Sequence, residues 1–294
     1  MTSFNRQSKI AFLGAGKVGG SLALALANAG YPVIAVASRT QASANEFAER
    51  ISGCEAYQGY QEAADLADVA FVTTSDDYIS PVAASVTWSQ GQAVVHCSGA
   101  ASLDLFDGPK AQGAIPGAFH PLQAFSSVEN GVKSIPGTTF GIEAGDDIRP
   151  YLERMAHDIG ANPVLLRAED KVLYHLSGVL MGNLLTCLVG IAGGVWEHIG
   201  YTRADGVKAL LPMMRAVANN IEASGIPGAV AGPYPRGDIG TINKHLEALR
   251  DRDPSLLPLY CELALAGLPQ AVERGLNENT GEEIRRNIEK FRER

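Results

Sequence analysis

The stretch Lys9–Tyr31, "KIAFLGAGKVGGSLALALANAGY", decides how the first half of the chain is read. A short apolar run from Lys9 to Leu13 predicts a buried strand, and Gly14-x-Gly16-x-x-Gly19 predicts a tight turn into a helix. The apolar pattern that follows, to Gly30, has helical spacing. In this arrangement Gly14 permits the turn, Gly16 lets backbone approach a pyrophosphate, and Gly19 lets helix and strand pack closely. Lys17 and Val18 open the helix, whose unpaired N–H groups and positive dipole end favour phosphate. The pattern predicts a dinucleotide site; a glycine-rich turn in an unliganded α/β protein is the alternative.

The second strand, Pro32 to Ala37, is followed by a helix from about Gln41. A dinucleotide fold that takes NAD usually places Asp or Glu at the end of this strand to hold the ribose hydroxyls. Here the residues are Ser38, Arg39 and Thr40. An arginine fork flanked by hydroxyls suits a 2′-phosphate, so the expected cofactor is NADP (NADPH). An exposed arginine at a helix start is the alternative. Further strand signals at "DVAFVTTS" and "AVVHCSG" imply parallel strands joined by crossovers. Ligands in such sheets lie beyond the carboxyl ends of the strands. Those ends carry Thr74 and Ser75, Ser98 and Gly99, and, after "GAIPGAFH", His120. Thr74 and Ser98 are candidates for the ribose or amide, or simple caps; His120 is either a site residue or a turn anchor fixed by Pro121. "PGTTFGIEAG", a helix near 148–159 and "NPVLLR" close a first domain at about Arg167.

From Ala168 onward only helices are expected, at about 169–199, 203–224, 238–251, 255–271 and 279–292, which leaves a cleft for a small substrate beside the nucleotide domain. Val172–Trp196 contains no Asp, Glu, Lys or Arg, and about 20 apolar residues suffice to cross a bilayer. It nevertheless carries Tyr174, His175, Ser177, Asn183 and Thr186 and lacks a basic flank, so a buried core or subunit interface is the preferred reading. Lys171 and His175, four apart, share one helix face. Each would discourage the other's charge near a cleft, and one could then donate a proton near neutral pH. Asn183, about 80° further round at 100° per residue, could line the same cleft. The alternative is a core histidine bonded to a carbonyl beside a lysine that marks the helix start. In "GPYPRGDIGTINKHLEAL", Arg236 could clamp a carboxylate. Asp238 and Thr241 are candidate substrate contacts, or else a helix cap.

The chain has 294 residues, 46% of them hydrophobic, enough for two domains with full cores. A net charge of -8 without a basic stripe argues against a nucleic-acid partner. Four separated cysteines with no C-x-x-C suggest neither a metal site nor a disulfide framework. The polar start and the early break at Gly14 suggest no export, so a cytoplasmic protein with no membrane partner is expected.

Taken together, "GAGKVGG", "SRT", "VVHCSGA", "FHPLQAF", "KVLYHLSGVLMGNLL" and "GPYPRGDIGTINKHLEAL" resemble a family of bacterial Rossmann-like proteins, labelled NADP oxidoreductase-like and deazaflavin-dependent, with a C-terminal helical domain of unknown function. Through that family the chain is similar to the 6-phosphogluconate, 3-hydroxyacid and ketopantoate dehydrogenases and to pyrroline-carboxylate reductase. The resemblance implies a Rossmann-type doubly wound parallel sheet (residues 1–167) followed by an all-α substrate and dimerisation domain (168–294), and a homodimer. Many of the hydroxyacid relatives carry a Lys-x-x-x-Asn pair with lysine as proton donor. Lys171 fits that lysine, but His175 stands at the asparagine position. The expected activity is NADP-linked hydride transfer to a small carbonyl, such as a 2-keto acid, or to an imine. The competing readings are a dinucleotide-binding sensor or assembly protein without chemistry, and an enzyme whose redox partner is a deazaflavin.

Overall fold

The computed structural model describes residues 4–292, so residues 1–3 of the polar start and residues 293–294 lie outside it. The chain divides into two compact units, residues 1–185 and 186–294. The division falls inside the long apolar helix, beyond the change of element type at Arg167 from which the sequence reading drew its boundary.

The first unit is built on one eight-stranded sheet. Its strands are β1 (Ile10–Leu13), β2 (Val33–Ala37), β3 (Glu55–Tyr57), β4 (Val69–Val72), β5 (Ala93–His96), β6 (Ile115–Pro121), β7 (Thr139–Ala144) and β8 (Asn162–Leu165). They lie in the order β3-β2-β1-β4-β5-β6-β7-β8. Every neighbouring pair is parallel except β6 and β7. The order 3-2-1-4-5-6 is that of a Rossmann sheet. Ile10 and Phe12 join the core on one face, Ala11 and Leu13 the core on the other. Strands covered on both faces read as unbroken apolar runs, which is why "IAFL" shows no polar alternation.

The expected strands are present, and two features were not anticipated. β3 is three residues long at the sheet edge and has only one fully apolar side chain, too little pattern to detect. The turn from β6 into β7 reverses direction. That reversal sets Ala118 opposite Glu143 and His120 opposite Gly141.

The helix expected at 169–199 is present as one helical run, Ala168–Ile199, whose pitch changes along its length after a short 3₁₀ turn at Ala168–Asp170. Its segments are an α-helix Lys171–Val179, a π turn Leu180–Leu184, an α-helix Leu185–Gly194 and a 3₁₀ turn Val195–Ile199. Gly182 lies within the π turn.

In the second unit, the helices Ile239–Arg252, Leu257–Glu273 and Glu278–Arg292 close around Ile242, Leu246, Cys261, Leu268, Ile284 and Ile288. Helix Arg203–Gly228 has non-helical backbone at Gly225 and Ile226, close to the break the sequence signals. Its start crosses Leu185–Gly194 very closely: a Cβ on Gly206 would fall 2.5 Å from the Gly193 carbonyl oxygen.

Candidate active site

The carboxyl ends of β1, β4 and β5 come together as parallel pairing requires. Gly14 has φ +127°, and its N–H donates to the Ala37 carbonyl at 2.8 Å. A side chain there would strike the Thr73 backbone, 2.7 Å from its carbonyl carbon, so the first glycine is required twice over. A Cβ on Gly19 would fall 2.4 Å from Thr73 Oγ1, which instead donates to the Gly14 carbonyl. Gly16 differs from both. It caps helix Lys17–Asn28 without a side-chain bond, and a Cβ on it would meet only the Thr73 oxygen, at 3.7 Å. The space over Gly16 is therefore open to a ligand, and the first-turn N–H groups face it.

Three adjoining cavities run along this edge. The first, about 520 Å³, is lined by Gly14, Gly16, Ser38, Arg39, Thr40 and Tyr60 among others, and by no Asp or Glu. The second, about 420 Å³, shares Gly16, Thr74 and Ser75 with it and adds Lys17, Val18 and Cys97. The third, about 430 Å³, shares Gln123 with the second and is lined by His120, His175, Ser177 and Asn183. The donor set fits a dinucleotide phosphate, with arginine and hydroxyls at one end, an uncapped helix start in the middle and imidazoles at the other end. Thr40 also has a structural task, since its side chain accepts the Ser43 N–H as the cap of the next helix.

Several candidates occupy positions the spacing could not show. Ser98 is buried and lines none of these cavities; its hydroxyl donates to Asp76 Oδ2 at 2.8 Å. Gly99 is a packing position, because a Cβ on it would come within 2.5 Å of His175 and 2.7 Å of His120. His120 lies inside β6 rather than in a turn, and its Nδ1 is 3.2 Å from the Tyr174 hydroxyl. Burial, with help from neighbouring His175 and Lys171, pushes the His120 pKa down to about 4, so the ring is neutral at pH 7.

Lys171 does not line the cavity. It is 1% exposed, and its Nζ lies 3.1 Å from Glu143 Oε2. Burial shifts its pKa down, and Glu143 opposes that shift. The shared helix face places Lys171 behind the histidines, not beside them in the cleft. Asp238 and Thr241, in the second unit, are bonded to each other at the start of a helix: Asp238 accepts from the Thr241 N–H at 3.0 Å and hydroxyl at 2.7 Å. Arg236 precedes that cap.

The sequence places Asp76 and His96 at strand ends near the expected nicotinamide without giving either a role, and it does not single out Glu143. His96 reads as the end of a strand, yet it is fully buried with its Nδ1 accepting the Ser98 N–H at 3.1 Å.

Residues 9–99 match the family described as "NADP oxidoreductase coenzyme F420-dependent". Residues 138–266 match a domain of unknown function, DUF2520. The first match covers the strands and turns that carry the glycine loop, and the second covers the end of the sheet and much of the helical region. The glycine loop and the acid-free Arg39 cavity both lie within residues 9–99, and an NADP(H) cofactor is the one this match implies. Its fold is shared by a Thermotoga maritima protein at 21% identity, covering 97% of this chain and 98% of the other with a TM-score of 0.66. A reductive aminase of Aspergillus terreus, in complex with NADPH and ethyl-5-oxohexanoate, has 15% identity, coverage of 97% and 93%, and a TM-score of 0.59. A pyrroline-5-carboxylate reductase of Coxiella burnetii has 16% identity, coverage of 92% and 99%, and a TM-score of 0.58. No curated protein is similar enough in sequence to match.

Proposed function

We propose that this oxidoreductase reduces the carbon of an uncharged C=N or C=O group in a small molecule bound between His120, His175 and Asn183. The observation that carries this reading is the continuity of the three cavities from Arg39 and the glycine loop to the two histidines. No Lys or Arg lines the third cavity, so its wall offers no cation to the carboxylate of a 2-keto acid. Apolar Leu122, Val179 and Met181 suit an uncharged body instead. The reductive aminase that shares the fold is in complex with NADPH and a neutral keto ester, ethyl-5-oxohexanoate, which agrees with such a substrate.

NADPH supplies the hydride. Arg39, with Ser38 and Thr40, holds the 2′-phosphate, and the amides around Gly16 hold the pyrophosphate. The chain's own task at the reacting end is the proton. His175 faces the third cavity and donates to the substrate nitrogen or oxygen as the hydride reaches carbon. It regains that proton from solvent through the open cavity. Neutral His120, held by Tyr174, keeps a second imidazole against the same space without competing as a cation. Asn183 orients the substrate.

The long apolar helix belongs to this reading. Residues 168–199 are long and apolar enough to cross a membrane, and only 6% of the most apolar window is buried. Because its His175 and Asn183 serve the site, its exposed leucines are assigned to contact with a second copy, and the protein is proposed to be a cytoplasmic homodimer.

The test is oxidation of NADPH, followed at its near-ultraviolet absorbance, against a panel of cyclic imines, neutral ketones and 2-keto acids. Turnover is expected with imines or ketones and weak with keto acids. Arg39→Ala should weaken NADPH binding about tenfold or more while leaving NADH binding unchanged, the scale of a lost charge-assisted contact. His175→Ala should keep NADPH affinity and lower kcat about 100-fold, within the range of a general acid. Tight NADPH binding with no turnover of any compound would instead make the protein a sensor, and reduction of a deazaflavin alone would move the hydride acceptor.

A further inference from the structure

The helix that carries Tyr174 and His175 lies along β6 and β7 in a fixed register, and one charged pair sets it. Glu143 and Gly141 are two apart on β7, so their side-chain positions share a face. Lys171 and Tyr174 are three apart on the helix and also share a face. Lys171 meets Glu143. Tyr174 lies over Gly141, where a Cβ would fall 2.8 Å from the ring. One turn further, a Cβ on Gly178 would fall 2.7 Å from Leu122. Across the ladder, His120 is the residue opposite Gly141. The ion pair therefore fastens the first turn of the helix, and the tyrosine's place over His120 follows from it.

The pair is almost completely enclosed: the lysine side chain is 2% exposed and the glutamate 12%. Neither Nζ nor Oε2 has an aligned hydrogen-bond partner among the described residues, so the contact is Coulombic. A buried pair of this kind adds little net stability over an apolar pair of the same shape, whereas removing one partner strands a charge. Stability alone is thus a weak reason for its presence. Its surroundings supply a better one. Lys171 bears on His96 at the end of β5, on Cys97 just beyond it and on His120 from β6, while Glu143 and Asp76 act on Lys171 to favour its charge. Tyr174 and His175 of its own helix complete the set facing His120.

We propose that Glu143 is a positioning residue for the reduction: by holding Lys171 fixed behind the site, it sets the register of Tyr174 and His175 against His120. Glu143 touches neither substrate nor cofactor in this assignment. The assignment rests on the proposed reduction at His120 and His175, but its structural half can be tested without turnover.

The experiment uses the full chain with NADPH and three variants, Glu143→Gln, Lys171→Met and the apolar pair Glu143→Leu with Lys171→Met. NADPH affinity should stay within about twofold in all three, because the glycine loop is untouched. With the best substrate of the panel, Glu143→Gln and Lys171→Met should each lower kcat about tenfold or more, and the double variant should be no worse than the poorer single, the mark of one coupled unit. In Lys171→Met and in the double variant the acid limb of kcat/KM should move to higher pH. Imidazole NMR gives the reading that needs no substrate. His120 should titrate at distinctly higher pH in Lys171→Met than in the parent, and Lys171 should lose its proton at lower pH in Glu143→Gln.

Additive losses with an unmoved pH profile, or His120 titrating at the same pH in parent and Lys171→Met, would overturn the proposal. If the parent turns over nothing, the function proposed above fails while the two titrations still decide this one. If a single variant does not fold, the apolar double variant, which strands no charge, carries the His120 titration.

Discussion

At the scale of single residues, two imidazoles, His96 and His120, are kept uncharged by burial. Burial takes His96 down to about 3 and His120 down to about 4, with the charge of Lys171 adding to both shifts. The sign for stability follows from linkage. An unfolded histidine binds a proton near pH 6.5, so below that pH the unfolded chain holds more protons than the folded one. Stability from these two residues is therefore complete above about pH 6.5 and is lost as pH falls toward 4. For His96 alone the loss between pH 7 and pH 5 is about 2 kcal/mol. His96→Asn keeps an acceptor near the Ser98 N–H and removes the titration. Its stability at pH 7 will be lower because it leaves a gap against Phe106, but its fall from pH 7 to pH 5 should be smaller than the parent's by about that same 2 kcal/mol. Urea unfolding at the two pH values measures the difference, and equal slopes would show that His96 carries no such linkage. None of this was visible in "AVVHCSG", where a histidine at a strand end reads as a polar terminus. Depth in the sheet, not local sequence, decides its charge.

At the scale of elements, the reading of the sequence succeeded where one element carries its own signal. Gly14, Gly16 and Gly19 act through a turn and helix that are contiguous in the chain: Gly14 and Gly19 have the close contacts their spacing implies, and Gly16 has open space above it. The later helices were legible because Gly225, Pro233 and Asp238 mark their ends. What could not be read is contact between elements far apart in sequence. The meeting of Lys171 with Glu143 depends on the reversal at β7, and the π turn at Leu180–Leu184 has no compositional signature beyond Gly182. That turn matters for Asn183. A π turn advances less than 100° per residue, so it carries Asn183 closer to the face of His175 than an ideal α-helix would. Helix and strand also constrain each other through Gly141, which has an ordinary backbone but no room for a side chain beneath Tyr174 and Leu166. Gly141→Ala should push the Tyr174 ring away from His120 and cost about 1–3 kcal/mol, the usual scale of overpacking. The check is a lowered unfolding midpoint together with a changed His120 imidazole shift. A variant as stable as the parent, with the His120 signal unmoved, would show that the ring has space to yield.

At the scale of the whole molecule, the apolar stripe on the 168–199 helix is the feature that one chain leaves unresolved energetically. Leu173 is 68% exposed, Met181 69%, Leu180 52% and Leu184 50%. Soluble monomers rarely leave a patch of this kind facing water. Fully burying a large apolar side chain gains about 1.5–3 kcal/mol, so covering these partly exposed side chains in two copies gains an energy of the same order as the cost of association. A membrane would cover the same side chains, but it would also have to take up His175 and Asn183, whose cavity must stay open to substrate and solvent. The sequence separated these outcomes only by noting polar residues within the stripe; the structure adds that three of them, His175, Ser177 and Asn183, line the cavity. The proposed homodimer predicts a definite response to charge. Leu180→Glu with Leu184→Glu should convert a dimer of about twice the 31.0 kDa chain mass into monomer, measured by sedimentation or light scattering in buffer without detergent. NADPH binding should survive the change, because the glycine loop lies on another element, while turnover should fall as the helix bearing His175 and Asn183 loses its packing. A parent that sediments as a monomer, or that stays in solution only with detergent or lipid, would rule out the dimer and leave the stripe to a different partner.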